Sequence, residues 1–174
     1  MPADVAHKHG WQIFEVVFGV PLLIAIGLQL AIPLSFPAGQ WALTLAFGGV
    51  ALAVAGAVLV SLGRRQLARL GQPTDPGQPT SRLVTTGVFS FSRNPLYLGG
   101  ICVLAGMALA LNFPWVLLML LPSLIACHYI LIAPEERYLA VRFGKEYTAY
   151  AASVRRWLGR RRLVGEGEVH NRNG

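Results

Sequence analysis

The sequence predicts an all-α integral membrane protein with about four transmembrane helices and a C-terminal amphipathic helix at the membrane surface. Apolar residues make up 54% of the 174 residues and charged residues only 13%, a balance typical of membrane proteins. The apolar residues fall in long runs, and the basic residues lie mostly between or after these runs. One membrane-embedded domain spanning residues 1–174 fits this length.

The net charge of +7 does not indicate a nucleic-acid partner, because the basic residues form no stripe interleaved with base-stacking side chains. Cys102 and Cys127 lie in apolar segments, where a thiol behaves as a small hydrophobic group and no disulfide framework is expected. His7, His9 and His170 lie in the two tails without metal-ligand spacing, so no metal site is predicted. The sequence carries no signal for an oligomeric state.

Residues 11–32 and 41–62 are the first two predicted transmembrane helices, each about as long as a membrane crossing requires. Pro21 predicts a kink in the first. The second carries a run of small residues that favours close packing against another helix: Gly48, Gly49, Ala53, Gly56 and Ala57.

Residues 63–95 form a predicted cytoplasmic connector, in which Arg64, Arg65, Arg69 and Arg82 surround a centre rich in proline and glycine. Residues 96–111 and 113–133 then form a predicted transmembrane hairpin that turns at Asn112. Pro122 and Pro134 predict a bend in the fourth helix and its end.

Lysine and arginine concentrate in the connector and after residue 136, and the other two turns contain none. The positive-inside rule therefore places both termini in the cytoplasm of a multi-pass protein, and we expect a bacterial inner membrane. Residues 135–163 keep helical spacing of aromatic residues and then become basic, which predicts an amphipathic tail at the membrane interface.

Two polar clusters flank the predicted hairpin and should meet at its cytoplasmic end. Glu135 and Glu136 follow the fourth apolar run, and residues 93–100 begin the third. Two adjacent carboxylates beside an apolar segment need a cation nearby, since desolvation and mutual repulsion disfavour their charged forms. A cationic ligand is one interpretation. The other is a structural ion pair with Arg93, Arg137 or Arg142.

His128 is the only histidine inside a predicted membrane segment. It lies seven residues before Glu135, which places both on roughly one helix face. His128 and Tyr138 are therefore candidate substrate contacts. The alternative for His128 is a hydrogen-bonded interior residue.

The order of motifs resembles that of the isoprenylcysteine carboxyl methyltransferase and phospholipid methyltransferase family. The relevant residues are Gly87-Val88-Phe89, Arg93-Asn94-Pro95-Leu96-Tyr97-Leu98-Gly99, Glu135-Glu136-Arg137-Tyr138-Leu139, Phe143-Gly144-Lys145-Glu146-Tyr147, Tyr150 and Arg156-Trp157. The resemblance covers roughly residues 81–158, and the first two helices match only in being apolar.

The resemblance implies a methyltransferase that uses S-adenosylmethionine and acts on a lipophilic acceptor, with the tail closing the cofactor site. Cofactor-binding residues carried over from the family are Arg93, Asn94, Pro95, Tyr97, Leu98, Gly99, Glu135 and Glu136. Arg93, Glu136 and Arg137 are the candidate catalytic residues: an arginine would orient a carboxylate acceptor, and a glutamate would take a proton from an amine. Asn94 departs from the histidine common in the family, which leaves a proton-transfer role there unsupported.

Several functions remain open at this point. The acceptor is a prenylcysteine-like carboxylate, a phospholipid amine, or a small lipophilic thiol or acid. A second hypothesis is an NADPH-dependent enzyme resembling the sterol reductases, whose dinucleotide would favour a basic pocket. A third is a non-enzymatic membrane scaffold that uses the small-residue helix and the basic tail.

Overall fold

The structure, a computed structural model, describes residues 10–74 and 78–161, and residues 162 and 163 of the predicted tail lie outside them. The described residues form an all-helical protein, as the sequence predicts. The α-helices are α1 (Gly10–Ala31), α2 (Gln40–Arg69), α3 (Pro95–Ala110), α4 (Pro114–Ala126), α5 (Ala133–Phe143) and α6 (Lys145–Ser153). A short 3-10 turn, Gly87–Ser90, precedes α3.

Two helices of the described chain are long and apolar enough to cross a membrane, fewer than the four predicted. They are Gln40–Arg69 and the continuous helix Pro114–Phe143. The described apolar parts of the other two, Glu15–Ala31 and Pro95–Ala110, are shorter. Only 11% of the apolar window of α2 is buried, so this helix presents its apolar side chains outward instead of forming a protein core. Such a surface is typical of a helix solvated by lipid.

Helices α2 and α3 pack so closely that glycines are required where they cross. A Cβ atom on Gly56 would lie 2.5 Å from the carbonyl oxygen of Gly99, and one on Gly106 would lie 2.5 Å from that of Gly49. The small-residue run of the second predicted span is therefore a packing surface, as small residues in membrane helices commonly are. It fixes the start of α3, and with it the first polar cluster, against the end of α2.

Two hydrogen bonds join the turns at the opposite end of the bundle. Asn112 has φ of 58° in the tight turn between α3 and α4, and its side-chain oxygen accepts from the backbone N–H of Phe36 at 2.7 Å. The indole of Trp115 donates to the carbonyl of Ile32 at 2.9 Å. These bonds hold α1 beside α4, with which it packs.

A π-helical turn, Cys127–Ile132, joins α4 to α5 without ending the helix. The prediction that the helix stops at Pro134 is therefore wrong. Proline has no N–H to donate to the fourth residue before it and its ring crowds that carbonyl, and a π turn just before it accommodates both effects. The wider turn also shifts which residues share a face in α5.

Candidate functional site

A cavity of about 400 Å³ lies where α3 and α5 begin, at the end of the bundle that carries both polar clusters. The end of α2, the connector, the start of α3, and parts of α1, α5 and α6 form its wall. The lining residues are Glu15, Val60, Arg64, Leu67, Pro73, Thr74, Gln78, Thr80, Arg82, Leu83, Val84, Phe89, Arg93, Asn94, Pro95, Leu96, Tyr97, Gly100, Glu135, Tyr138, Leu139 and Tyr150. This volume lies within the usual range for small-molecule sites.

Glu135 is the acidic residue that the second cluster contributes to this cavity. The phenol of Tyr97 donates a hydrogen bond to its Oε2 at 3.2 Å. Tyr97 is itself buried, with 7% of its surface exposed, so the donor is held in place by packing. The pair presents a positioned carboxylate at the cavity wall, and such a group attracts a cationic ligand.

Glu136 belongs to an ion network and does not line the cavity. Arg156 binds it with two parallel hydrogen bonds, Nε to Oε1 at 3.0 Å and Nη2 to Oε2 at 2.6 Å. Arg93 Nη1 lies 3.1 Å from Oε1. Side-chain exposure is 10% for Arg93 and 17% for Glu136, so these charges are largely shielded from solvent. The structural ion pair considered for the two glutamates therefore applies to Glu136.

The segment that carries Arg156 is fastened onto the residues just before α3 by backbone and side-chain hydrogen bonds. The N–H of Arg93 donates to the carbonyl of Arg155 at 3.1 Å, and the N–H of Gly159 donates to that of Phe91 at 2.7 Å. The side-chain amide of Asn94 donates to the carbonyl of Arg156 at 3.3 Å. Asn94 thus both lines the cavity and anchors the chain that closes the network.

Tyr147 and Tyr150 of α6 pack with Leu83 of the connector in a small buried cluster. The face of α6 that the sequence assigned to the membrane interface is therefore used inside the protein. Tyr147 accepts a hydrogen bond from Arg93 Nη1 at 3.0 Å, and Tyr150 donates to the carbonyl of Phe89 at 2.7 Å. Burial raises the pKa of both phenols, so both stay protonated at neutral pH.

The connector is held over the cavity by Gln72, which is 6% exposed. Its side-chain oxygen accepts from the N–H groups of Ser81 and Arg82, at 2.9 and 3.1 Å. The N–H of Thr80 donates to the phenol oxygen of Tyr138 at 3.2 Å. The sequence analysis placed no site residue in this segment, yet Thr80 and Arg82 line the cavity. No motif signals them, because their position depends on how the loop folds back.

The remaining predicted site residues divide between the cavity and other contacts. Tyr138 and Pro95 line the cavity. Gly99 instead faces Gly56 across the crossing of α2 and α3. Two others are also not among the lining residues: Leu98 and the exposed Arg137.

His128 lies beside Arg156, with Nδ1 3.2 Å from Nη1, and is not among the residues that line the cavity. The π turn explains the difference from the predicted alignment with Glu135. The extra residue in the π turn shifts all later residues by about 100° around the helix axis. The residue on the same face as His128 is therefore eight positions later, Glu136, and not seven positions later. His128 and Glu136 accordingly contact the same guanidinium.

Two buried polar atoms of cavity residues have no hydrogen-bond partner, and these are Thr80 Oγ1 and Arg93 Nε. Buried donors and acceptors are normally paired, so these two atoms are unsatisfied polar groups among the residues that line the cavity. S-adenosylmethionine fits this donor set, because its carboxylate accepts from a guanidinium and its sulfonium is attracted by a carboxylate such as Glu135. Among the described residues, no group of three or more His, Cys, Asp or Glu side chains is placed to hold a metal ion.

The family model for phospholipid methyltransferases matches residues 44–146, more than half of the chain. The protein belongs to this family. The match begins within α2, so it extends further toward the N-terminus than the resemblance over residues 81–158. Searches of curated proteins and of solved structures gave no match. The family and the two long apolar helices indicate a membrane-associated methyltransferase.

Proposed function

We propose that the protein transfers a methyl group from S-adenosylmethionine to a lipophilic acceptor at the cytoplasmic face of a membrane. The observation that carries the proposal is the separation of the two glutamates. Arginines neutralise Glu136, whereas Glu135 lines the cavity with a hydrogen bond to Tyr97. A carboxylate held in this way can compensate the positive sulfonium of the cofactor.

The cavity residues have distinct proposed roles. Glu135 and Tyr97 hold the positive side of the cofactor, and Arg93 and Thr80, which also line the cavity, bind its polar groups. The bound cofactor supplies an activated methyl group for an in-line displacement. The protein mainly aligns donor and acceptor and excludes water, so a general base is not needed for every acceptor. Glu136 and Arg156 act as positioning residues because they hold Arg93 through the ion network.

The proposed topology retains four membrane segments with both termini in the cytoplasm, in a bacterial inner membrane. The shorter helices α1 and α3 enter the bilayer beside the two long ones. A short or tilted segment is tolerated at modest cost, since the bilayer thins around it or its flanking side chains reach the interface.

Calorimetric titration of the detergent-purified protein tests the cofactor. S-adenosylhomocysteine and S-adenosylmethionine are titrated beside NADPH, using wild type, Glu135→Gln and the control Glu146→Gln. Glu146 is an exposed acid of α6 that does not line the cavity. We expect both sulfur ligands to bind wild type and the control, and the sulfonium to bind Glu135→Gln at least tenfold more weakly, a loss of about 1.4 kcal/mol.

The other outcomes are equally informative. Binding of NADPH alone would assign the cavity to the reductase chemistry that a basic pocket favours. Folded protein that binds none of the three would support the scaffold hypothesis. Equal sulfonium affinity in wild type and Glu135→Gln would remove the role proposed for that carboxylate.

A further inference from the structure

Residues 154–161 fold into a tight turn after α6, and we call it the closing turn. An antiparallel bridge pairs Val154 with Arg160, and the N–H of Arg155 donates to the carbonyl of Gly159 at 2.8 Å. Gly159 has φ of 97°, a backbone conformation that favours glycine. The closing turn is therefore an ordered element of the fold with its own hydrogen bonds.

Trp157 places the closing turn at the level where the apolar part of α1 begins. Its half-buried side chain packs against a core cluster that includes Val17 and Phe18, and both of these lie near the start of that apolar part. Tryptophan is enriched at this depth, where a membrane meets water. The next residue, Leu158, is 62% exposed, so the closing turn presents an apolar side chain beside this boundary.

The closing turn also carries three exposed cations, Arg155, Arg160 and Arg161. Within the described residues, none of the three forms an ion pair with an acidic side chain. The bridge between Val154 and Arg160 brings the arginines on its two sides together. Arginines beside an exposed leucine match an anionic bilayer surface, because its headgroups attract the cations and its acyl region accepts the apolar side chain.

The same turn completes the ion network at the cavity. Arg156 lies between the exposed arginines in sequence, yet its guanidinium binds Glu136 inside the protein. The carbonyl of Arg156 accepts from Asn94, and the N–H of Gly159 donates to the carbonyl of Phe91. Opening of the closing turn breaks these bonds together. A surface that binds only the closed form therefore stabilises the network by mass action.

We propose that the closing turn binds an anionic lipid surface and that this contact holds the ion network of Glu136 closed. The three exposed arginines bind the anionic headgroups, and Leu158 enters the boundary between headgroups and acyl chains. The effect on ligand binding rests on the proposed function. Arg93 belongs both to the network and to the cavity wall, so anionic lipid should raise the affinity of the cavity for the cofactor.

The test compares the full chain in nanodiscs of phosphatidylcholine with the full chain in nanodiscs of an equal mixture of phosphatidylcholine and phosphatidylglycerol. Hydrogen exchange of the backbone amides of Arg155 and Gly159 measures opening of the closing turn without any ligand. We expect wild type to exchange at least fivefold more slowly in the anionic nanodiscs at low salt, since each arginine near such a surface contributes about fivefold to binding. High salt should remove most of this difference.

Two triple variants separate the closing turn from net charge, because both lower the charge by the same amount. The closing-turn variant carries Arg155→Gln, Arg160→Gln and Arg161→Gln. The control variant replaces exposed cations elsewhere, with Arg69→Gln, Arg142→Gln and Lys145→Gln. We expect the closing-turn variant to lose most of the difference between the two nanodiscs and the control variant to keep it. The anionic surface itself acts equally on amide exchange in both.

The affinity for S-adenosylhomocysteine, measured in the same nanodiscs, tests the link to the cavity. We expect it to be about fivefold higher in anionic nanodiscs for wild type and the control variant, and the same in both nanodiscs for the closing-turn variant.

Three exchange results would overturn the lipid contact. These are equal wild-type exchange in both nanodiscs, a difference that persists in the closing-turn variant, and a difference that the control variant also loses. If exchange follows the expectation but S-adenosylhomocysteine binds equally in both nanodiscs, the lipid contact stands and its link to the cavity fails. If exchange follows the expectation and S-adenosylhomocysteine binds in neither, the lipid contact stands and the cofactor assignment fails.

Discussion

Glu135 and Glu136 are neighbours in the chain, yet they serve different surroundings. Oε2 of Glu135 accepts from Tyr97 at the cavity wall, whereas both oxygens of Glu136 are bound by Arg156. Consecutive residues of a helix are about 100° apart, so one of the pair faces the cavity and the other faces the tail. The same dipeptide thus supplies a ligand-facing charge and a structural ion pair.

Because the two glutamates have different partners, replacing Glu136 should lower the stability of the fold, whereas replacing Glu135 should lower cofactor affinity. Glu136→Gln leaves Arg93 without its carboxylate, and we expect a loss of about 2 to 3 kcal/mol. This loss is smaller than the loss expected when one partner of a fully buried ion pair is removed, because the side chain of Arg156 is 34% exposed. Glu135→Gln keeps an amide oxygen to accept from Tyr97 and should leave stability nearly unchanged. Thermal unfolding of the detergent-purified variants measures both, and equal losses would contradict the division.

The fork of hydrogen bonds from Arg156 predicts that lysine cannot replace it. A lysine ammonium is a point charge that cannot make the two parallel bonds seen to Glu136. Arg156→Lys should therefore unfold at lower temperature than wild type, and Arg155→Lys, at an exposed neighbour, should not. Limited proteolysis of the tail provides a second readout. Unchanged cleavage in Arg156→Lys would show that the fork does not hold this segment.

The close crossing of α2 and α3 predicts a strong penalty for any side chain at Gly99. A Cβ atom there meets the carbonyl oxygen of Gly56 at 2.7 Å, and backbone cannot move aside as a side chain can. Gly99→Ala should cost about 1 to 3 kcal/mol. Gly48→Ala, on the open side of α2, should cost nothing measurable or stabilise slightly. Thermal unfolding of the two variants side by side checks this, and a tolerated Gly99→Ala would mean that the helices separate easily.

Removing the hydroxyl of Tyr97 should weaken cofactor binding without greatly destabilising the fold. Tyr97→Phe removes the hydrogen bond to Glu135 and keeps the buried ring. Without the phenol the Glu135 carboxylate is no longer fixed at the cavity wall, so S-adenosylmethionine affinity should fall about tenfold, or about 1.4 kcal/mol. Tyr129→Phe, at a largely exposed tyrosine, is the control. Equal affinities by calorimetry would show that Glu135 is positioned without this bond.

Composition and run length were sufficient to predict the all-α class and the hairpin with its turn at Asn112. They overestimated the number of long helices, because a run of apolar residues marks hydrophobic length and not where a helix begins and ends. The second helix also continues to Arg69, into the predicted connector. The arginines at the end of α2 are compatible with the helix because their charged groups extend past its apolar part into a polar environment.

The site was predictable only where adjacent residues carry the signal. The motif around Arg93 and the glutamate pair identified the two clusters that meet at the cavity. Sequence spacing placed His128 with the wrong glutamate, since a π turn is not visible as a pattern of residue types. The contributions of Thr80 and Arg82 depend on a loop held by hydrogen bonds to the buried Gln72 and to Tyr138.

The network that closes on Glu136 joins residues made at very different moments of synthesis. Arg93 precedes Arg156 by 63 residues, and both hairpin helices lie between them. Synthesis runs from the N-terminus, so Arg93 and Glu136 are both made before their third partner. The ion network that holds Arg93 at the pocket wall therefore cannot be complete until the chain has been made through Arg156.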